Sequence, residues 1–286
     1  MPAASDALAE LLDHDWLGAC RQAVQGLREV LDEHPTSRER VVETGERGGG
    51  GDRTLVIDAA AEDAVFAQLE RLHDEGARFT AVSEERGYVD FGSDDVLVVI
   101  DPIDGSMNAK RGLTHHALSI AVADGPTMAD VVFGYVYDLG PGEEWCATRG
   151  GGVLLNSTPL APAPPERRKR DGRLELVAIE SADPRWLAAS SEALVHVTGR
   201  LRAIGSIAVS MCQVAATRVD GMATLWKCRA VDAAAAQLVV RESGGQVAFT
   251  AMDDPLGAPL DLEPRSPVVA ARSDRALAEL ATLPAV

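Results

Sequence analysis

The stretch Val96-Leu97-Val98-Val99-Ile100-Asp101-Pro102-Ile103-Asp104-Gly105-Ser106 constrains this chain more than any other. Its apolar run, Val96 to Ile100, predicts a strand buried on both faces. Pro102 has no N–H to give a ladder, so Asp101-Pro102 is expected to end that strand. Asp104-Gly105-Ser106 then offers small and capping residues to open a helix. Two carboxylates and several backbone N–H groups would gather just past the strand's carboxyl end, where α/β sheets commonly bind ligands. Two aspartates on so tight a turn can share a hard, Mg²⁺-like cation, with the Ile103 carbonyl as a neutral oxygen ligand. In isolation, the same D-x-x-D-G also reads as a solvated acidic turn. An EF-hand is excluded, because the third and twelfth positions counted from Asp101 are Ile103 and Gly112.

The segment Asp101-Pro102-Ile103-Asp104-Gly105-Ser106 resembles the D-P-I-D-G-[ST] signature of the inositol monophosphatase superfamily of metal-dependent, often lithium-sensitive phosphomonoesterases. Ser83-Glu84-Glu85 upstream is similar to its G-E-E segment. Asp232-Ala233-Ala234-Ala235-Ala236 and Glu242-Ser243-Gly244-Gly245 downstream are similar to D-x-A-A-G and E-A-G-G. Arg229-Ala230-Val231-Asp232 looks more like the archaeal R-x-V-D than the animal W-D. Gly45-Glu46-Arg47-Gly48 with Thr54 to Asp58 resembles that group's mobile G-x-D-G-T-P-T loop and the I-D after it. The chain departs from the pattern at Ala109, where an aromatic is usual, and at Ala236, where glycine is usual.

The resemblance implies a layered αβαβα sandwich of the sugar phosphatase type, within the mixed α/β class that the alternating strands, helices and hairpins themselves indicate. It implies Mg²⁺ as cofactor, two or three ions, with Mn²⁺ able to substitute. One ion would be held by Glu84, Asp101 and the Ile103 carbonyl, and a second by Asp101, Asp104 and Asp232. A third, weaker ion would lie near Glu84 and the glycine-rich loop. Asp58 with Ser106 would orient and activate water, with Glu84 counted among the catalytic residues and Glu85 behind it. Asp104, Gly105, Ser106, Gly205, Ser206 and Ile207 would line the substrate pocket. Lys227 and Arg229, near the ligand Asp232, would meet a second phosphate; their alternative is to face solvent or cap nearby carbonyls. The expected substrates are small phosphorylated sugars or cyclitols, inositol 1-phosphate and fructose 1,6-bisphosphate, acted on by a homodimer. A 3′(2′),5′-bisphosphate nucleotidase and a regulatory binding protein retaining the pocket are the alternatives.

A net charge of −17 argues against a nucleic-acid surface, which needs a basic stripe. It also means that a bound cation must supply any local attraction for phosphate. Cys20, Cys146, Cys212 and Cys228 form no C-x-x-C and predict buried, reduced thiols rather than disulfides or zinc. Acidic residues fill the N-terminal region and no apolar run approaches ~18 residues, so neither a signal peptide nor a membrane span is expected. A cytoplasmic location follows by default.

Apolar spacing from Leu8 to Leu31 predicts one helix over residues 6–33. Residues 44–53 read as a closing loop or a plain connector. Thr54 to Ile57 reads as a strand, with Asp58 as N-cap of the next helix, a role that leaves it free for catalysis as well. Phe79 to Val82, Leu118 to Val122, Val131 to Val136, Trp145 to Thr148, Gly152 to Leu155, Leu174 to Ile179, Gln246 to Thr250 and Val268 to Ala271 are further strands. Met222 leads toward Asp232, expected to start an alanine-rich helix. Ser206 and Ser273 should cap helices. His115-His116 reads as structural or surface rather than metal-binding. The proline-rich loop 159–173, with its basic run Arg167 to Arg170 facing solvent, would join halves 1–158 and 174–286.

Overall fold

In a computed structural model, which describes residues 11–47 and 53–283, the chain is a stack of alternating helical and sheet layers. The elements are α1 (Trp16–Glu33), α2 (Ser37–Arg40), β1 (Glu43–Arg47), β2 (Arg53–Leu55), α3 (Val56–Asp74), β3 (Thr80–Ser83), β4 (Gly87–Asp90), β5 (Leu97–Asp104) and α4 (Ser106–Arg111). Then come β6 (Ala117–Ala123), β7 (Val131–Asp138), β8 (Glu143–Thr148), β9 (Gly152–Leu155) and β10 (Thr158–Pro159). The second half holds β11 (Val177–Glu180), α5 (Pro184–Ala189), α6 (Ser191–Val197), β12 (Leu201–Arg202), α7 (Ile207–Ala215), β13 (Met222–Thr224), α8 (Ala230–Glu242), β14 (Gln246–Phe249), β15 (Val268–Ala271) and α9 (Asp274–Leu280).

An eight-stranded sheet runs β10-β9-β8-β7-β6-β5-β3-β4, and a five-stranded sheet runs β12-β11-β13-β15-β14. The amphipathic helices α1 and α3 cover one face of the first sheet, with Leu27, Val65, Phe66 and Leu72 buried against Phe79 and Ile100. The largely apolar helices α7 and α8 fill the space between the sheets. A helix apolar on nearly every side has no solvent face, and α8 is buried from Ala230 through Val240, with Gln237 satisfied by the Met128 carbonyl. Its alanines permit close approach: a Cβ added at Gly134 of β7 would stand 2.6 Å from the Ala235 carbonyl oxygen. Helices α6 and α9 cover the outer face of the second sheet.

The helix expected over 6–33 is broken: Leu11 and Leu12 are helical, residues 13–15 are not, and α1 starts afresh at Trp16, where the Asp15 side chain accepts from the Gly18 N–H and caps it; residues 6–10 lie outside the described residues. Pro102 does not end β5. The strand continues to Asp104 through a bulge, Asp101 facing Ser119 and Asp104 facing Ala117. β3 pairs only with Leu97 to Ile100, so Pro102 interrupts no ladder on that side. β1 and β2 pair around the glycine-rich stretch, of which residues 48–52 lie outside the described residues. The helix α3 starts at Val56, so Asp58 sits in its first turn rather than at its cap. Asp232 likewise occupies the first turn of α8, with Arg229 at the cap. Ser206 and Ser273 cap α7 and α9 as expected. His115, at φ +68, contacts the buried Asp138 carboxylate at 2.7 Å, a structural pairing. Arg168 in the basic run is pinned to Glu279 at 2.8 Å rather than left to solvent. Among the described residues no helix is long and apolar enough to cross a membrane, and all four cysteines are free and buried.

Candidate active site

Two adjoining clefts gather the predicted carboxylates. The first, about 250 Å³, is lined by Asp58, Glu84, Glu85, Asp101, Pro102, Ile103, Ser106 and Lys110. The second, about 320 Å³, is lined by residues that include Asp104, Glu180, Gly205, Ile207, Arg229 and Asp232. The strand β5 feeds both, because its bulge turns Asp101 into one and Asp104 into the other. Asp101 also accepts from the Ile103 N–H at 3.0 Å, which gives that N–H a partner inside the bulge.

Glu84 follows β3 directly, and Glu62 of α3 holds its turn by accepting from the Ser83 hydroxyl and from the Arg86 N–H. Asp58 and Ser106 share the first cleft. Asp58 Oδ1 is buried with no hydrogen-bond partner, while Oδ2 lies 3.8 Å from Lys110 Nζ. Burial raises the Asp58 pKa against the pull of Lys110.

The second cleft depends on a contact between distant loops. Gly105, at φ +87, lies where an added Cβ would meet the Gly205 carbonyl oxygen at 2.8 Å. Asn108 Nδ2 donates to the carbonyls of His115 and Ile204 at 2.9 and 2.8 Å, stapling α4 to the 204–206 turn. Ser206 is buried and donates to Asp104 Oδ2 at 2.6 Å while accepting from the Val209 N–H. The Ala208 N–H donates to the same Asp104 oxygen at 2.7 Å. Glu180 accepts from the N–H groups of Ile204 and Gly205, both at 3.0 Å, and from the Ser210 hydroxyl at 2.6 Å.

Arg229 links the clefts. Its guanidinium lies 2.7 Å from Glu84 Oε1 and 3.3 Å from Asp232 Oδ1, and its backbone N–H donates to Asp232 Oδ2 at 2.8 Å. Burial opposes its charge, but Asp232, Glu84 and Asp101 together raise its pKa. Glu84 is nonetheless pushed up to about 7, because burial, with Asp232 adding to it, outweighs the guanidinium. Burial and then Asp232 lift Asp104 to about 7, and burial with Glu84, Asp104 and Asp232 lifts Asp101 well above the usual range.

The structure therefore brings Asp58, Glu84, Asp101, Ile103 and Ser106 together in one cleft, and Asp104, Gly205, Ile207, Arg229 and Asp232 in the other, with Ser206 behind them. Lys227 is exposed and lines neither cleft. Among the described residues no three Asp, Glu, His or Cys side chains are gathered closely enough to hold one ion as they stand. Lys110, Glu62 and Glu180 escaped the sequence reading. Lys110 stands four residues after Ser106, one turn along the same helix face. Glu180 ends an apolar strand just as Asp101 follows Val96 to Ile100, a pattern visible in the sequence.

The inositol monophosphatase family model matches residues 13–283. A fructose-1,6-bisphosphatase/inositol-1-monophosphatase of Archaeoglobus fulgidus is 31% identical over 270 residues, covering 91% of this chain and 94% of that protein. The Nus factor SuhB of Escherichia coli is 33% identical over 207 residues, covering 70% of this chain and 72% of that protein. Among solved structures, the MJ0109 gene product, an inositol monophosphatase-fructose 1,6 bisphosphatase, superposes with TM-score 0.78 at 24% identity. That alignment covers 94% of this chain and 99% of the other. Signature turn, layered fold and full-length match agree: the chain belongs to the inositol monophosphatase family of phosphatases.

Proposed function

We propose that this phosphatase is a Mg²⁺-dependent phosphomonoesterase acting on inositol 1-phosphate and fructose 1,6-bisphosphate. The observation that carries the reading is an excess of acidic groups: seven carboxylates, five of them buried and Glu84 and Glu85 half-buried, line the two clefts against two cations, Lys110 and Arg229. The donor set fits a hard divalent ion, since it offers carboxylate and carbonyl oxygens without thiol or imidazole. Glu84, Asp101 and the Ile103 carbonyl would hold one ion, and Asp101, Asp104 and Asp232 a second. Such ions supply positive charge at the phosphate and its leaving oxygen.

The chain's own groups do the rest. Ser106 positions the attacking water in the first cleft, and Asp58, whose Oδ1 has no partner and whose pKa is raised, takes the water's proton. Lys110 steadies the Asp58 carboxylate and stands beside the incoming phosphate. Gly205, Ser206 and Ile207 shape the second cleft, where the sugar or cyclitol ring is held. Lys227 and Arg229 are the cations available for a second phosphate, Arg229 only once its guanidinium is free of Glu84 and Asp232. The same reading takes the protein as a cytoplasmic homodimer whose halves, 1–158 and 174–286, close the site between them.

Phosphate release from inositol 1-phosphate, fructose 1,6-bisphosphate and adenosine 3′,5′-bisphosphate, with Mg²⁺ and with chelator, tests this function. Mg²⁺-dependent turnover of the first two is expected. Turnover of the nucleotide alone would move the assignment to a nucleotidase. The relatives named Nus factor SuhB supply the other reading, a binding protein, which turnover of none would favour.

A further inference from the structure

We infer that Arg229 is a built-in counter-cation that shares Glu84 and Asp232 with the divalent metal and is displaced from them when metal binds. The inference rests on the metal-dependent reading above and concerns how the site is kept before loading. One guanidinium touches a carboxylate from each cleft, at 2.7 Å and 3.3 Å, and so stands on the partition between them. It also acts on Asp101, the carboxylate common to both proposed ion positions.

A planar guanidinium suits this task, because its fork of donors can serve two carboxylates at once. Without it Glu84, Asp101, Asp104 and Asp232 would repel one another in a poorly solvated site. With a divalent ion on the same oxygens the guanidinium becomes a like charge a few ångströms away, which a site of low dielectric penalises steeply. The backbone of Arg229 is fixed by its N–H bond to Asp232, whereas the side chain, half-buried on a flexible stem, can turn into the second cleft that it already lines. Metal loading would then free a cation for the substrate's phosphate, coupling ion binding to substrate binding.

The test reads metal binding without turnover. Free Mn²⁺ is titrated against the full-length, chelator-treated protein and followed by electron paramagnetic resonance, for the parent, Arg229→Gln and Arg229→Lys. Removing a charge that competes at contact distance should tighten Mn²⁺ binding by ~10-fold or more in Arg229→Gln, while Arg229→Lys stays nearer the parent. Equal affinity in parent and Arg229→Gln, or weaker binding in the variant, overturns the inference and leaves the metal reading standing. No binding by any of the three overturns the metal reading and the inference with it. Should Arg229→Gln fail to fold without metal, crystal structures of the parent with and without Mn²⁺ decide. The inference requires that Arg229 leave Glu84 in the loaded form, and an ion pair unchanged by Mn²⁺ refutes it.

Discussion

Asp58 in the first cleft and Glu180 in the second are both buried carboxylates with raised pKa values, yet they are held in opposite ways. Asp58 has one oxygen with no partner and a lysine at 3.8 Å. Both Glu180 oxygens are satisfied, by two backbone N–H groups and a hydroxyl. Asp104, beside Glu180, is anchored through Oδ2 alone, by Ser206 and Ala208. A satisfied carboxylate builds a rigid wall, whereas an orphaned one has capacity left for water or ligand. Under the proposed function, the contrast fits reaction in the first cleft and placement of substrate in the second.

Replacing Asp101 is the most severe way to break this division, since both proposed ion positions use it. Asp101→Asn should lower phosphate release by ~10³-fold, the range for losing a group that stabilises developing charge. A loss below about tenfold at saturating Mg²⁺ would end the two-ion reading. Ser106→Ala tests the first cleft alone: kcat should fall ~10²-fold with Mn²⁺ affinity nearly unchanged, and an effect confined to KM would move Ser106 to the substrate side.

Glu180→Gln sharpens the second cleft. It leaves the 204–206 turn under-satisfied, so KM should rise ~10-fold, as for lost supporting contacts, with kcat close to the parent. A fall in kcat instead would place Glu180 nearer the chemistry. The smallest effect concerns pH. Burial lifts the Glu180 pKa above 4.5 against the pull of Ser210, Ile204 and Gly205. A folded pKa above the unfolded one gives stability that is present at low pH and lost as pH rises through the raised value. The Gln variant lacks that loss. Its Tm relative to the parent should therefore shift in its favour from about pH 4 to about pH 7, and a shift the other way contradicts the sign.

Much of this was legible in the chain because it depends on neighbours in sequence. The apolar run before Asp101, the hairpin around Arg149-Gly150-Gly151 and the caps at Ser206 and Ser273 are all local. So is the close spacing of Asp101 and Asp104, and with it the family signature, though not that β5 itself runs on to Asp104. Local chemistry also misled. Asp15 caps α1 at Trp16 and so breaks a helical rhythm that Leu11 and Leu12 also follow, and the β5 bulge carries Pro102 where a straight ladder could not. Tertiary structure alone decided which cleft each carboxylate enters, that Gly105 packs on Gly205 a hundred residues away, and that Arg229 bridges Glu84 to Asp232. Those outcomes follow from the layering of two sheets about α7 and α8, which brings strand ends from both halves to one place. Sequence spacing fixes a residue's face on its own element. Which charge it then meets depends on distances through space, and with them on the burial that sets how strongly that charge is felt.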